Sequence, residues 1–279
     1  MLPETPPPAP PAGIGAYLIQ ITGPDREALL DYAVARGHGV EVADFAESAL
    51  LDDPAGLDTV LAWYARRLPE VRGPLSLHGP YHNLAPGGLD GRIRAATQER
   101  VAQCLDIAGE LGIGRVVFHS DFDLVPTPGH LAAWVARAAG FWQEAIAGRG
   151  IELLLENAFE PDPAVLLALL QAIGRPQAGV CLDVGHAHLM SALWGRATGQ
   201  SSWPSTADWL AALAGHVRYL HLSDNDGSWD QHLPPGRGTI PWPTLLARLA
   251  GLPSPLPAVL EVTGVPAAQE AEASLASLA

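Results

Sequence analysis

Short apolar runs recur along this chain, and six of them stop at a side chain that can ligate metal: LSLH at His78, VVFH at His119, LLLE at Glu156, VCLD at Asp183, RYLH at His221 and AVLE at Glu261. A brief, nearly unbroken apolar run is the pattern of a strand buried on both faces, as in a parallel sheet. The rest of the chain alternates with these runs. IGAYLIQIT (14–22) predicts a first strand and HGVEVADF a second, separated by a helix over DREALLDYAVARG that ends at Gly37. LDTVLAWYARRLPEV predicts the next helix, PLSLHGPY the third strand, and a long helix runs from about Asp90 to Leu111 before GRVVFHS. HLAAWVARAAGFWQEAIAG then precedes IELLLENAF, DPAVLLALLQAIG precedes AGVCLDVGH, STADWLAALAG precedes VRYLHLSD, PWPTLLARLAG precedes PAVLEVTG, and AAQEAEASLASLA closes the chain as a helix. Eight strands with at least seven intervening helices predict a closed parallel (β/α)8 TIM barrel of a single domain, the right-handed crossover rule leaving few other topologies. An open doubly wound sheet would not bring first and last strand ends together, and no Gly-rich phosphate loop follows the first strand.

In such a barrel every strand's C-terminal end opens onto one face, where active sites sit. The six ligand-type side chains are therefore expected to converge. One such residue capping a strand is usually satisfied structurally, but six buried charges are costly unless something neutralises them, and a divalent cation does so economically. Glu156, Asp183, His221 and Glu261 come from four successive strands and offer one imidazole with three carboxylates, a mixed set suited to Mn, Mg, Co or Zn. His78 and His119 come from adjacent strands. Asp183-x-x-His186 and Asp230-x-His232 have the spacing of paired ligands in tight loops. His232 alone would read as a solvent-exposed loop residue; its pairing with Asp230 after His221 favours metal.

Composition narrows the function classes. The 279 residues match the roughly 250 of a typical barrel, and residues 1–13, MLPETPPPAPPAG, read as a flexible Pro-rich tail outside the fold. Formal net charge is −14 and the 16 basic residues are all Arg. The lack of lysine excludes Schiff-base chemistry through that residue, and the acidic balance argues against nucleic acid as a partner. Cys104 and Cys181 read as small buried hydrophobes, which fits a reducing cytoplasm, and neither a signal peptide nor a membrane-spanning run is visible. Oligomeric state is left open.

LHGPYHNLA (77–85), GVCLDVGH (179–186) and LHLSDNDGSWDQHLPPGRG (220–238) resemble the three motif regions of the endonuclease IV and sugar phosphate isomerase/epimerase superfamily, the xylose-isomerase-like barrels. The endonuclease IV pattern implies one metal at His78, His119 and Glu156, a second at Glu156, Asp183, His221 and Glu261, and a third at His186, Asp230 and His232. The ketose 3-epimerase pattern implies only the second group, with Glu156 and Glu261 doubling as the acid/base pair and His186 touching substrate. From this resemblance a sugar or sugar phosphate isomerase/epimerase with one to three divalent ions is the expected function, and a trinuclear phosphoesterase the alternative. Tyr81, Asn83, Trp229 and Arg237 are candidate substrate contacts. Trp194 and Trp203 are assigned to βα loops with packing roles, His188 to a supporting or structural role, and His38, His130 and His216 to no chemistry. Asp224 and Asp226 read first as turn formers.

Overall fold

The computed structural model describes residues 8–123, 129–199 and 203–279. Eight parallel strands close into a barrel in sequence order: β1 Ile14–Ile21, β2 Gly39–Val42, β3 Leu75–His78, β4 Arg115–His119, β5 Glu152–Glu156, β6 Ala178–Asp183, β7 Val217–Leu222 and β8 Leu256–Leu260, with β1 pairing β8. The outer ring comprises α1 Arg26–Arg36, α2 Ser48–Leu51, α3 Pro54–Arg67, α4 Gly91–Glu110, α5 His130–Ala145, α6 Ala164–Ile173, α7 Val184–Thr198, α8 Thr206–Leu213, α9 Trp242–Ala250 and α10 Gly264–Leu278.

Local chemistry sets many of these limits. α1 ends at Gly37 and α6 at Gly174, both left-handed, a conformation that carries no Cβ penalty for glycine. α3 begins with Pro54 and gives way to a 3-10 turn over Leu68–Glu70, because Pro69 has no N–H to continue the ladder. Asp90 caps α4 by accepting from the Arg92 and Ile93 amides, and Ser205 with Asp208 forms a capping box on α8.

Two expectations need correction. Gly185 to Thr198 is not a loop: α7 springs directly from β6 with Asp183 as its N-cap, so His186 sits in the first helical turn and Trp194 in the helix, stacked on Trp203 at 5.9 Å. The Asp-x-x-His spacing suits a capping aspartate as well as a ligand pair, which is why periodicity alone did not reveal the helix. The tail also joins the fold before residue 14. Ile14 donates to the Pro11 carbonyl, Leu256 donates to that of Gly13, and a Cβ on Gly13 would lie 2.3 Å from the Leu249 backbone. Residues 1–7 of that segment lie outside the described residues.

Inside the barrel, Leu18, Val117, Leu154, Cys181, Tyr219 and Val259 form one fully buried layer, each from a different strand. At roughly 1.5–3 kcal/mol per large apolar side chain, this layer is a stable floor for whatever stands above it. The registers then place the ligand-type residues side by side: His119 opposite Glu156, and Asp183 opposite His221.

Candidate metal centre

Glu156, Asp183, His221 and Glu261 each offer a ligand atom, and these atoms all lie within 4.8 Å of one another. All four residues are buried, His221 and Glu156 completely. His221 Nδ1 lies 3.3 Å from Glu261, 3.4 Å from Glu156 and 3.9 Å from Asp183. His78, His119 and Glu156 form a second group that meets the same 4.8 Å limit, with Glu156 common to both. His78 presents Nε2 to Glu156 at 3.1 Å while its Nδ1 bonds the Gly79 carbonyl. That arrangement depends on glycine, since a Cβ at Gly79 would stand 2.1 Å from the Phe118 ring.

Asp230 joins the remaining residues. It lies 3.4 Å from His186 Nε2 and 2.7 Å from His232, whose backbone is left-handed at φ 48°. This set is looser than the other two and extends from the first along His186, whose Nδ1 is 3.3 Å from Glu156. Asp224 is fully buried and accepts from the Gly236 and Ile240 amides and the Trp242 indole, so it ties down the loop that carries Asp230 and His232. Asn157, on the β5 side, donates to the Asp183 carbonyl and accepts from its amide at 2.8 and 2.9 Å, fixing the β6 end.

Burial and close neighbouring charges shift these groups strongly, in opposite directions. Burial would raise Glu156 and Glu261, but His221 beside both holds each well below the usual carboxylate range. Asp183 goes the other way: burial, with the charge of Glu261 and Glu156, drives it well above. Three carboxylates at this spacing therefore do not share the ionised state comfortably. Burial drops His119 to about 3, so it is a neutral imidazole with a free lone pair at neutral pH. Burial pulls His78 down, but the hydrogen bond and charge of Glu156 together with the charge of Glu41 outweigh it and lift it to about 8. Among the described residues Glu156 Oε1, Glu261 Oε2 and His221 Nδ1 are buried without a hydrogen-bond partner. Such atoms normally find partners, and unpaired ones are costly. A harder divalent ion fits this oxygen-rich set with one imidazole. Cys181 lies close to Glu156 and His221, but burial pushes its thiol well up, which keeps it protonated.

Above the ligands is a cavity of about 210 Å³ lined by Gln20, Thr22, Ala43, Ala46, Glu47, His78, Tyr81, His119, His186, Asp230, His232 and Glu261. Tyr81 stands over His119 with ring centres 5.3 Å apart. Asn83, at φ 60°, Trp229, 63% exposed, and Arg237 are not among the lining residues; the Arg237 guanidinium is paired with Glu270 on α10. A larger apolar cleft of about 780 Å³ lies outside the barrel against α5 and α6, with His130 and Asp162 as its ionisable groups, and shows no comparable convergence.

Sequence reading missed the wall supplied by β1 and β2. Gln20 is the last residue but one of β1, and Glu41 is fully buried in GVEV, where a glutamate inside an otherwise apolar strand was the available signal. Among the expected bystanders, His38 bonds Glu272 at 2.7 Å and His188 bonds Thr239 at 2.8 Å, both structural contacts.

A crown of ligand-type side chains on the C-terminal face of a closed (β/α)8 barrel points to a class, and the comparisons agree: the chain belongs to the xylose isomerase-like TIM barrel family, which it matches over residues 33–279. It is 32% identical to the TTHB071 protein from Thermus thermophilus, solved after soaking with ZnCl2, with 95% of this chain and 96% of that one covered at a TM-score of 0.72. A D-tagatose 3-epimerase-like protein superimposes at a TM-score of 0.75 over 95% of this chain and 97% of that one; at 18% identity this is a likeness of fold. The uncharacterized protein MJ1311 of Methanocaldococcus jannaschii is 24% identical over 185 residues, a match spanning 62% of this chain and 59% of the relative's length. No helix among the described residues is long and apolar enough to cross a membrane.

Proposed function

We propose that the protein is a divalent-metal-dependent isomerase or epimerase of a sugar or sugar phosphate, with Glu156 and Glu261 as its acid/base pair. The observation that carries this reading is the pair itself: two glutamates from β5 and the end of β8 that reach one imidazole, each with one buried oxygen unpartnered. An ion held by Glu156, Asp183, His221 and Glu261 would polarise a carbonyl and its neighbouring hydroxyl. One glutamate would take the proton from the carbon beside the carbonyl, and the other, after itself taking a proton from a substrate hydroxyl or water, would return it to the opposite face or the adjacent carbon. Glu261 and His186 both line the cavity, so each can reach a sugar lying there. The burial of His186, 8% exposed, and of the carboxylates keeps bulk water from competing for these contacts. Support also comes from the epimerase-like fold neighbour.

A phosphoesterase is the second reading, favoured by the independent convergence of His78 and His119 on Glu156. Against it, no arginine among the described residues lines the cavity, and the chain has no lysine to neutralise a nucleic-acid backbone. In heavy water with Mn²⁺ and a panel of ketoses and ketose phosphates, the protein should place deuterium on the carbon next to the carbonyl, leaving an abasic-site duplex uncut. Nicking of the duplex with no exchange into any sugar would replace the first reading by the second.

A further inference from the structure

We propose that Glu41 of β2 is a positioning residue, one that fixes the His221 ring so that its Nδ1 faces the ion; the proposal rests on the metal reading of the site. His221 bears the two kinds of contact such a role needs. Its Nε2 lies 3.2 and 3.3 Å from the two Glu41 oxygens, while its Nδ1 has no hydrogen-bond partner and looks toward Glu156 and Glu261 at 3.4 and 3.3 Å. A carboxylate accepting one ring N–H leaves the lone pair on the other nitrogen, which is how ligating histidines are commonly oriented and made better donors.

Three further facts point the same way. Glu41 is fully buried, and among the described residues His221 is its only ion-pair partner. Its other contacts are neutral donors: the Ser76 hydroxyl at 3.1 Å and the Gln20 amide at 3.3 Å. A buried carboxylate so placed is expensive unless positive charge lies close, and an ion on the far side of the imidazole provides it. The same Gln20 amide nitrogen lies 3.0 Å from Glu261 Oε1, so Glu41 bears directly on the β7 ligand and, through Gln20, on the ligand at the end of β8. Ser76 is in turn bonded to the Tyr219 hydroxyl at 2.5 Å, anchoring the network in the apolar layer below. β1 and β2 thus contribute no ligand to the four but supply the groups that aim two of them.

The test is Mn²⁺ affinity by titration calorimetry on the full chain, with circular dichroism as the check on folding. The isosteric Glu41→Gln should bind Mn²⁺ about tenfold more weakly and Glu41→Ala up to about a hundredfold, the range typical of groups that orient a ligand. In a His221→Asn background, Glu41→Gln should cost nothing further, since its effect passes through the ring. Unchanged affinity in a folded Glu41→Gln, or losses that add in full with His221→Asn, would overturn the proposal while the metal reading stood. Wild-type protein that fails to bind Mn²⁺ would remove the reading itself. Should Glu41→Ala not fold, Glu41→Gln and the double variant decide the matter.

Discussion

Two buried glutamates, each in contact with histidine, occupy different parts of this barrel, and they differ in what is left over. On the outer side of the barrel Glu272 of α10 is 1% exposed and fully engaged: the Tyr32 hydroxyl, the Arg36 guanidinium at 2.6 Å and His38 at 2.7 Å all bond it, tying α10 to α1 and the start of β2. At the C-terminal face Glu156 is equally buried, yet one oxygen has no hydrogen-bond partner and its neighbours include two more carboxylates. The first cluster contains its own cation and is complete as protein. The second leaves a carboxylate oxygen on each of Glu156 and Glu261, and one nitrogen of His221, buried with no hydrogen-bond partner. Satisfaction, more than burial or residue type, separates a structural cluster from a ligand-binding one.

The largest expected effect separates the two on activity. Glu156→Gln or Glu261→Gln keeps the shape and one ligating oxygen but removes the base, so turnover should fall by at least the roughly 10²–10⁴ of a single acid–base group. His221 holds both carboxylates below their ordinary range, so loss of either charge should also cost the ion-free protein some stability, and turnover is therefore read per folded molecule. Equal turnover in either variant would reject the acid/base assignment.

Glu272→Ala should do the reverse. Removing one partner from a buried ion pair typically costs about 3–5 kcal/mol, read as a lower urea midpoint, with turnover per folded molecule unchanged. The pH dependence has a definite sign. Burial raises the Glu272 carboxyl, but bonds from His38, Tyr32 and Arg36 outweigh it and leave the group below its ordinary value. Its stabilisation is therefore present above the ordinary glutamate range and lost as pH falls through the lowered native value. The alanine variant should lack that acid-side fall, and wild-type and variant curves that stay parallel across the acid range would refute the assignment.

An added ion should sharpen the contrast at intermediate size. At a hundred times its dissociation constant a ligand stabilises by about 2.7 kcal/mol, so Mn²⁺ should raise the melting temperature by several degrees and a chelator should return it. Glu156→Gln should diminish the shift; Glu272→Ala should melt lower yet keep the full increment. The same increment in both variants would place the ion somewhere other than the crown.

Most of this arrangement was legible in the sequence because strand ends and barrel topology are linked. Once eight strands are counted, His78, His119, Glu156, Asp183, His221 and Glu261 must reach one face. What escaped notice depends on contacts across the sheet. Glu41 looks like a stray charge in a short strand until β7 places His221 beside it, and Glu272 looks like a solvent-facing helix residue until α1 packs against it. α7 was hidden by the double meaning of Asp183, which caps a helix through the His186 amide at 2.5 Å while presenting its other oxygen to the crown. Arg237, expected near substrate from its place in the motif, is paired instead with a glutamate that the motif does not contain.

The smallest effect is expected on α10 itself, where Glu270 and Glu272 stand two residues apart and each bonds an arginine. The Arg237–Glu270 pair has side-chain exposures of 66% and 37%, against 11% and 1% for Arg36–Glu272. In an exposed pair solvent screens the attraction, and holding two long side chains together costs entropy, so the net contribution is about 0–1 kcal/mol. Arg237→Ala should therefore shift the urea midpoint barely, and the remaining difference should shrink further in 1 M salt, where the screening length is about 3 Å. Steady-state kinetics adds a second reading of the same variant. If Arg237 serves only this surface pair, KM should be unchanged for neutral ketoses and ketose phosphates alike. A rise in KM confined to the phosphates would show that the guanidinium leaves Glu270 for the substrate, and would move the proposed substrate class toward sugar phosphates.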